Sequence, residues 1–256
     1  MTPLKRQKRA TFLEPIPSEE AAQHAARQIR QAIIDGVYGP GQRLTERELT
    51  EQLNISRHPV RDALRLLARE GFVELHRNRG AQVSSIDASI VREVYAIRRT
   101  LGHLALDHLA GDNGQVAPSV LLDLEKIADR AARLAHARKH DDAIDADLEF
   151  QQAIVEGSNL KRVTNYFREL TDDVRRFDKS LGVVYTDQER YIERYIKSLF
   201  EALEKGDLKT ARSIWDEKFD KAVERFLSAL EGTELDGAKI VKGAPRADTD
   251  RDSAEA

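Results

Sequence analysis

Apolar residues along this chain recur three and four positions apart almost everywhere, and one short stretch breaks that rhythm by alternating with polar ones. The first helical pattern opens at Ser18, a capping residue, and runs to about Asp35 with Ala22, Ala25, Ile29 and Ile33 on one stripe. Gly36 to Gly41 then turn the chain. Thr45 to Gly71, TERELTEQLNISRHPVRDALRLLAREG, reads as two short amphipathic helices joined by a tight turn. Thr45 caps the first, whose apolar face is Leu49 and Leu53, and Asn54-Ile55-Ser56 interrupts it. Ser56 caps the second, whose buried stripe is Val60, Leu64 and Leu67; Pro59 is harmless near its start because first-turn amides have no partner within the helix. Gly71 ends that helix, and Phe72 to His76 and Ala81 to Ser84 alternate like strands on either side of the turn residues Asn78 to Gly80.

From Asp87 onward nothing reads as strand. Ser89 opens a helix with Ile90, Val94, Ile97, Leu101 and Leu104 as its apolar line, and further helices follow at about 119–138, 141–156, 160–180, 187–205 and 208–231. Gly111 to Pro118, Gly157-Ser158-Asn159, Gly182 and Gly206-Asp207 punctuate them. The pattern predicts a mainly α protein, an N-terminal winged helix-turn-helix with a small β-hairpin followed by an all-helical bundle of about six helices. The expected divisions are a flexible basic arm at 1–17, the winged module at 18–86, the helical domain at 87–231 and a polar, disordered tail at 232–256.

Length and composition fit two domains, since 256 residues can hold two cores of ordinary size. Cysteine is absent, which excludes disulfides and cysteine-ligated metals. No apolar run approaches the roughly 20 residues that span a bilayer, and the polar N-terminus is no signal peptide, so a soluble, cytoplasmic protein without membrane partners is expected. The net charge of -3 hides an imbalance: residues 1–86 hold 14 Lys and Arg against 10 Asp and Glu, and the remainder holds 27 against 34. The basic end suits a polyanion, and Lys5, Arg6, Lys8 and Arg9 of the arm could add phosphate contacts.

Candidate chemistry begins with Arg57, Arg61 and Arg65, spaced four apart on the face of the second helix opposite its apolar stripe. In a helix-turn-helix the start of that helix enters the major groove, where an arginine bonds guanine bidentately or holds a phosphate. Arg77 and Arg79 stand at the hairpin tip, beside Gly80, where they would meet phosphates or the minor groove. The bland alternative is a solvated charged face and ordinary exposed tip residues.

The run SRHPVRDALRLLAREGFVELHRNRGAQV, preceded by GPGQRLTERELTEQLNI, closely resembles the winged helix-turn-helix of the GntR family of bacterial transcription regulators, over about residues 18 to 86. The resemblance implies that Arg47, Arg57 and Arg61 contact operator DNA, with wing residues around Gly80, Arg79 among them, in or near the minor groove. Thr45, His58 and Arg65 complete the candidate DNA-binding set. His58 stands where the family commonly has threonine or another small residue, so the preferred operator is expected to differ; His58 could contact a base or a phosphate, or face solvent.

The helical half resembles the effector domain, often called FCD, of the FadR-like branch of that family. Asp147-Leu148-Glu149-Phe150-Gln151 with Gly157-Ser158-Asn159 matches its D-x-x-F-H and G-N, and Gly206-Asp207 with Ala211 matches its G-D-x-x-x-A. Arg98 and Leu101 match R-x-x-L-E, with Gly102 in place of the glutamate. Many members hold a divalent metal with one aspartate and three histidines. Asp147 fits the aspartate, but the histidines map to Gln151, Ile196 and Lys218, the last two to within a residue. Isoleucine has no lone pair and an ammonium has no acceptor, so no metal and no other cofactor are expected, with a Lys218–Asp147 ion pair in that space instead. Arg98, Asp147, Gln151 and Lys218 are the candidate effector-binding residues, Arg98 either clamping a carboxylate of a small organic acid or pairing with an acid on a solvated face.

His136 and His140, four apart, have a spacing that can bind zinc, but a helix end that favours cations explains them as well. His103 and His108 are expected in the core or lining a pocket. No nucleophile with a recognisable base and no phosphate-cradling glycine loop is present, so no enzymatic activity is expected. These readings converge on a homodimeric repressor on double-stranded operator DNA with inverted half-sites, released by a small acidic metabolite. The alternatives are a constitutive DNA-binding protein whose bundle only dimerises, and a helical interaction module without DNA.

Overall fold

The computed structural model describes residues 19–76, 80–111, 114–185, 188–232 and 238–240. Contacts divide the chain into two compact units, parted between Ser84 and Ser85, with Ile34–Gly36 grouped with the second. The first contains α1 (Glu19–Ile34), β1 (Arg43–Leu44), α2 (Glu46–Leu53), α3 (Arg57–Arg69), β2 (Val73–His76) and β3 (Gly80–Val83). Thr45 caps α2 as its sequence predicts, its hydroxyl accepting from the Glu48 amide at 3.2 Å and donating to the Glu48 carboxylate at 2.7 Å. Asn54 ends α2 in the left-handed conformation, φ 50°, which asparagine tolerates.

Ser56 precedes α3, but its side chain makes no capping hydrogen bond, contrary to expectation. The third helical position, whose amide such a cap would serve, is Pro59, which has no N–H. The stripe itself is as the periodicity predicts: Val60, Leu64 and Leu67 are buried, as are Leu49 of α2, on which α3 packs, and Ala25, Ile29 and Ile33 of α1. Arg30 of α1 forms a bidentate pair with Glu70, just past α3, at 2.6–2.9 Å.

The hairpin has the register Val73↔Val83 to His76↔Gly80, and β1 pairs with the other edge of β3 to give the order β1-β3-β2. At two residues, β1 is too short to leave a periodic signal. Gly80 is required there, because its φ is +81° and an added Cβ would lie 2.5 Å from the Leu44 carbonyl oxygen. Arg77 and Arg79 lie outside the described residues, as do the 1–17 arm, Ser18 and the stretch beyond 240.

The second unit is built from α4 (Ala88–Leu109), α5 (Pro118–His136), α6 (His140–Gly157), α7 (Lys161–Leu181), α8 (Gln188–Glu204) and α9 (Leu208–Glu231). α4 packs on α6, α7 and α9, and α5 packs on α6 and α8. Two corrections to the sequence pattern are strands. β4 (Val183–Tyr185) pairs antiparallel with β5 (Ala238–Ile240), inside the segment expected to be disordered. Each carries three residues, too few for a periodicity, and the pairing partner lies far along the chain where local composition reads as coil.

The third correction concerns α4. Its expected apolar line is rotated by one residue: Val91, Arg98, Gly102 and Ala105 are buried where Ile90, Ile97, Leu101 and Leu104 were expected, and Val94 belongs to both lines. Ile97 and Leu104 are each 41% exposed. One residue is about 100° of helix rotation, and the true inward face was hidden because its members include a charge and a glycine. Of the two places expected for His108, the core is excluded and a pocket is found: it is exposed, its Nδ1–H donates to the Leu104 carbonyl at 2.9 Å, and it lines an open cleft of about 1040 Å³ with Leu109, Val116 and Glu149 among others.

Gly102 itself lies against the indole of the fully buried Trp215, and an added Cβ would fall inside the ring's van der Waals envelope. Trp215 in turn stacks on Phe219 with centroids 4.9 Å apart and tilts against Phe167 at 6.0 Å. The missing glutamate of the sequence pattern is thus replaced by room for a ring. Gly102→Ala should lower stability by about 1–3 kcal/mol despite alanine's better helix propensity. Thermal melts of the single variant and of Gly102→Ala with Trp215→Leu check this: the tryptophan truncation should cost less in the alanine background than in the wild type.

Candidate functional site

On the first unit, α2, α3 and the hairpin enclose an open cleft of about 640 Å³ lined by Thr45, Glu46, Arg61, Arg65, His76 and Gly80 among others. Four candidate DNA-contacting residues, Thr45, Arg61, Arg65 and Gly80, therefore meet in one place. Arg57, His58 and Arg47 are exposed outside its lining. Arg47 lies 3.8 Å from Glu51, one helical turn on, and His58 lies 3.4 Å from Asp62. Asp62 also accepts from Arg65 Nη1 at 2.9 Å.

The best-defined contact on this face was not predicted. Arg61 donates from Nε to Glu46 Oε1 at 2.9 Å and from Nη2 to Glu46 Oε2 at 3.0 Å, a parallel bidentate pair joining the start of α2 to the second turn of α3. The hydrogen bond from Arg61 holds the Glu46 carboxyl below its usual range, helped by the charges of Arg61, Arg57 and Arg65. Nothing in the spacing singles out this glutamate, since its partner belongs to the next helix.

In the second unit, Arg98, Asp147, Gln151 and Lys218 do come together, and all are buried. Arg98 Nη2 donates to Gln151 Oε1 at 3.0 Å, and Nη1 donates to the Phe167 carbonyl at 3.3 Å and to the Thr171 hydroxyl. The guanidinium also lies over the Phe167 ring, 4.1 Å from its centroid. Burial pushes its pKa down to about 10, so it stays charged at neutral pH. Of the two readings of Arg98, a solvated surface pair is excluded.

Lys218 Nζ lies 2.5 Å from Asp147 Oδ2, the ion pair the sequence predicts, and over the rings of Tyr195 at 4.7 Å and Tyr191 at 5.3 Å. Burial lowers the Lys218 pKa and raises that of Tyr195 well above its ordinary value. Arg98 Nε, Asp147 Oδ1 and the Tyr195 hydroxyl make no hydrogen bond with described groups. Beside them is a small cavity of about 50 Å³ whose lining includes Tyr95, Arg98, Asp147, Gln151, Asp178 and Lys218. Burial raises the Asp178 carboxyl to about 6, opposed by Lys179 and assisted by Asp141 and Asp145. Sequence reasoning missed Thr171, Asp178 and Tyr195; the first two leave no signal, while Tyr195 is the immediate neighbour of Ile196, to which a histidine position mapped.

The set does not fit the divalent metal that the family resemblance implies. Asp147 is engaged by an ammonium, Ile196 has no donor atom, and among the described residues no three His, Cys, Asp or Glu side chains gather into a possible metal site. The other histidines stand apart: His136 bonds its own helix at the Ala132 carbonyl, the His140 side chain lies outside the described residues, and His103 Nε2 is 2.8 Å from Asp216.

Residues 21–83 match the model of the bacterial regulatory proteins, gntR family, and residues 93–221 match that of the FCD domain. The HTH-type transcriptional regulator YdhC of Bacillus subtilis (strain 168), itself uncharacterised, is 25% identical over 80% of this chain and 90% of its own. The HTH-type transcriptional repressor RspR of Escherichia coli (strain K12) is 26% identical over 75% and 82%, and the gluconate operon transcriptional repressor of Bacillus licheniformis 28% over 67% and 72%. Among solved structures, a GntR transcriptional regulator from Rhodococcus sp. RHA1 superposes with a TM-score of 0.66 at 23% identity, covering 82% of this chain and 99% of its own. McbR/YncC of E. coli gives 0.62 at 19%, covering 82% and 98%. At these identities the two structures speak for the fold. No helix among the described residues is long and apolar enough to cross a membrane. With both domains matched in order and relatives that are transcription regulators over most of their length, the chain belongs to the GntR family of bacterial regulatory proteins, as a DNA-binding transcription regulator that carries an FCD domain.

Proposed function

We propose that this regulator is a homodimeric repressor, without enzymatic activity and without a metal, that binds inverted operator half-sites through residues 18–86 and is released when a small carboxylate enters the bundle formed by residues 87–231. The observation that carries the effector half of this reading is the charge around the buried cavity. Lys218 is paired with Asp147, whereas Arg98 is held by neutral acceptors, Gln151, Thr171 and the Phe167 carbonyl, and its Nε makes no hydrogen bond with described groups, so its positive charge is buried beside the cavity without a described carboxylate partner. A cation buried in this way is stabilised by an anion that arrives with acceptor oxygens. The gluconate operon repressors among the relatives support an acid of this kind.

The cavity, at about 50 Å³, is far smaller than the roughly 300 Å³ at which ordinary ligand sites begin, so the ligand must open it by parting Lys218 from Asp147. That movement bears on α4, α6 and α9 together, and α4 follows the hairpin after only Ser84–Asp87. For the dimer, the support is the exposed apolar line Ile97 and Leu104 with half-buried Ile90 and Leu101, which a second copy would cover. The same small cavity favours one other reading: with Arg98 already bonded to Gln151, Thr171 and Phe167, the centre serves folding alone and the repressor is constitutive.

Three measurements follow. Arg57→Ala with Arg61→Ala should weaken binding to an operator, recovered by selection from a randomised duplex library, by about a hundredfold or more in fluorescence anisotropy, while leaving the bundle's melt unchanged. In a thermal-shift screen of small organic and sugar acids, a hit should also lower operator affinity; a screen with no hit across the set supports the constitutive reading. Because Asp178 is neutral below about pH 6 and negative above it, the hit's affinity should fall as pH rises through 6 for an acid ionised throughout, and Asp178→Asn should remove that dependence.

A further inference from the structure

The Glu46–Arg61 pair is an unusual thing to find on a surface that faces a polyanion, because a carboxylate there repels phosphates at every approach. Its geometry shows what it leaves available. A guanidinium has five N–H donors arranged in two forks, one along the Nε–Nη2 side and one at the Nη1–Nη2 end. Glu46 fills the side fork, with Oε1 on Nε at 2.9 Å and Oε2 on Nη2 at 3.0 Å. Those two bonds leave Nη1 and the second hydrogen of Nη2, which together form the end fork, unengaged by Glu46, and the Arg61 side chain is 53% exposed. A side chain with four rotatable bonds is thereby fixed in direction by a partner on a different helix, whose own start is held by the Thr45 cap.

We infer that Glu46 is a positioning residue that presents the end fork of Arg61 to the O6 and N7 acceptors of a guanine, so that each operator half-site carries a guanine selected jointly by these two side chains. The inference rests on the reading that α3 enters the major groove. Guanine is the base whose major-groove edge offers two acceptors to such a fork. A phosphate would accept it too, but it needs no fixed direction, and a freely swinging arginine without a neighbouring carboxylate would serve better. The contrast within the same helix is Arg65, which donates to Asp62 Oδ1 from Nη1 and not from its Nε–Nη2 side, so that carboxylate does not fix its direction in the same way.

The test is selection from a randomised duplex library with the full-length chain, followed by affinity measurements on single-base variants of the recovered sequence. With the wild type, one guanine per half-site should be strongly preferred. With Glu46→Gln, discrimination at that position alone should fall by about tenfold, the worth of a bidentate arginine–guanine pair, while binding to unrelated duplex stays level or tightens because a negative charge is gone. Arg61→Ala should relax the same position. A Glu46→Gln protein that keeps the guanine preference, that binds the operator more tightly with unchanged preferences, or that loses affinity evenly at all positions overturns the inference while leaving operator recognition standing. So does loss of a different position in Arg61→Ala. A wild type that selects no sequence overturns the groove reading itself. A thermal melt of each variant separates these outcomes from unfolding.

Discussion

A guanidinium shut away from water must find its hydrogen bonds inside the protein, and the bundle meets that demand at both Nη atoms of Arg98 while its Nε has no described partner. Gln151 comes to it from α6, and Thr171 with the Phe167 carbonyl from α7; Phe167 and Phe219 lie over its faces. Gln151 shares α6 with Asp147, which lies one turn earlier and is held by Lys218 from α9. Four helices are thus tied through one charged centre. A buried ion pair of this kind adds little net stability when intact and costs several kcal/mol when one partner is removed, which makes it better suited to a two-state contact than to general reinforcement.

Much of this was legible in the chain. The helices of the second unit lie close to where apolar spacing and the Gly and Asn breaks put them, and the reading helix buries Val60, Leu64 and Leu67 as written. The four residues of the polar centre were named from a motif, not from hydropathy, and hydropathy is where the reading of α4 went astray. A buried arginine and a glycine under Trp215 look like surface to a pattern that counts apolar side chains, so the helix was rotated by one position. Local signals also fail for pairings made at a distance: Glu46 with Arg61, Asp178 with the cavity, and β4 with β5 each depend on a partner from another element.

The two candidate sites handle charge in opposite ways. In the first, acids on the helices hold arginines at an exposed surface: Glu46 holds Arg61, Asp62 holds Arg65, and Glu51 lies near Arg47. Exposed pairs of that kind contribute little to stability, so their effect is on direction and on the local field. In the second unit the Lys218–Asp147 pair is buried, where direction is fixed already and the free energy of separating the charges is large. The specificity proposed for one unit and the switch proposed for the other therefore use the same side-chain types under different solvation.

If the polar centre governs operator binding, the coupling must run both ways, since any equilibrium that the bundle imposes on the DNA is one that DNA imposes on the bundle. Amide hydrogen exchange of the full-length chain, with and without a duplex bearing its selected operator, measures this without knowledge of any effector. The account predicts that the duplex changes protection in Arg98–Leu109 of α4 and around Asp147–Gln151 of α6. Changes confined to residues before Ser85, with the bundle untouched, would contradict it.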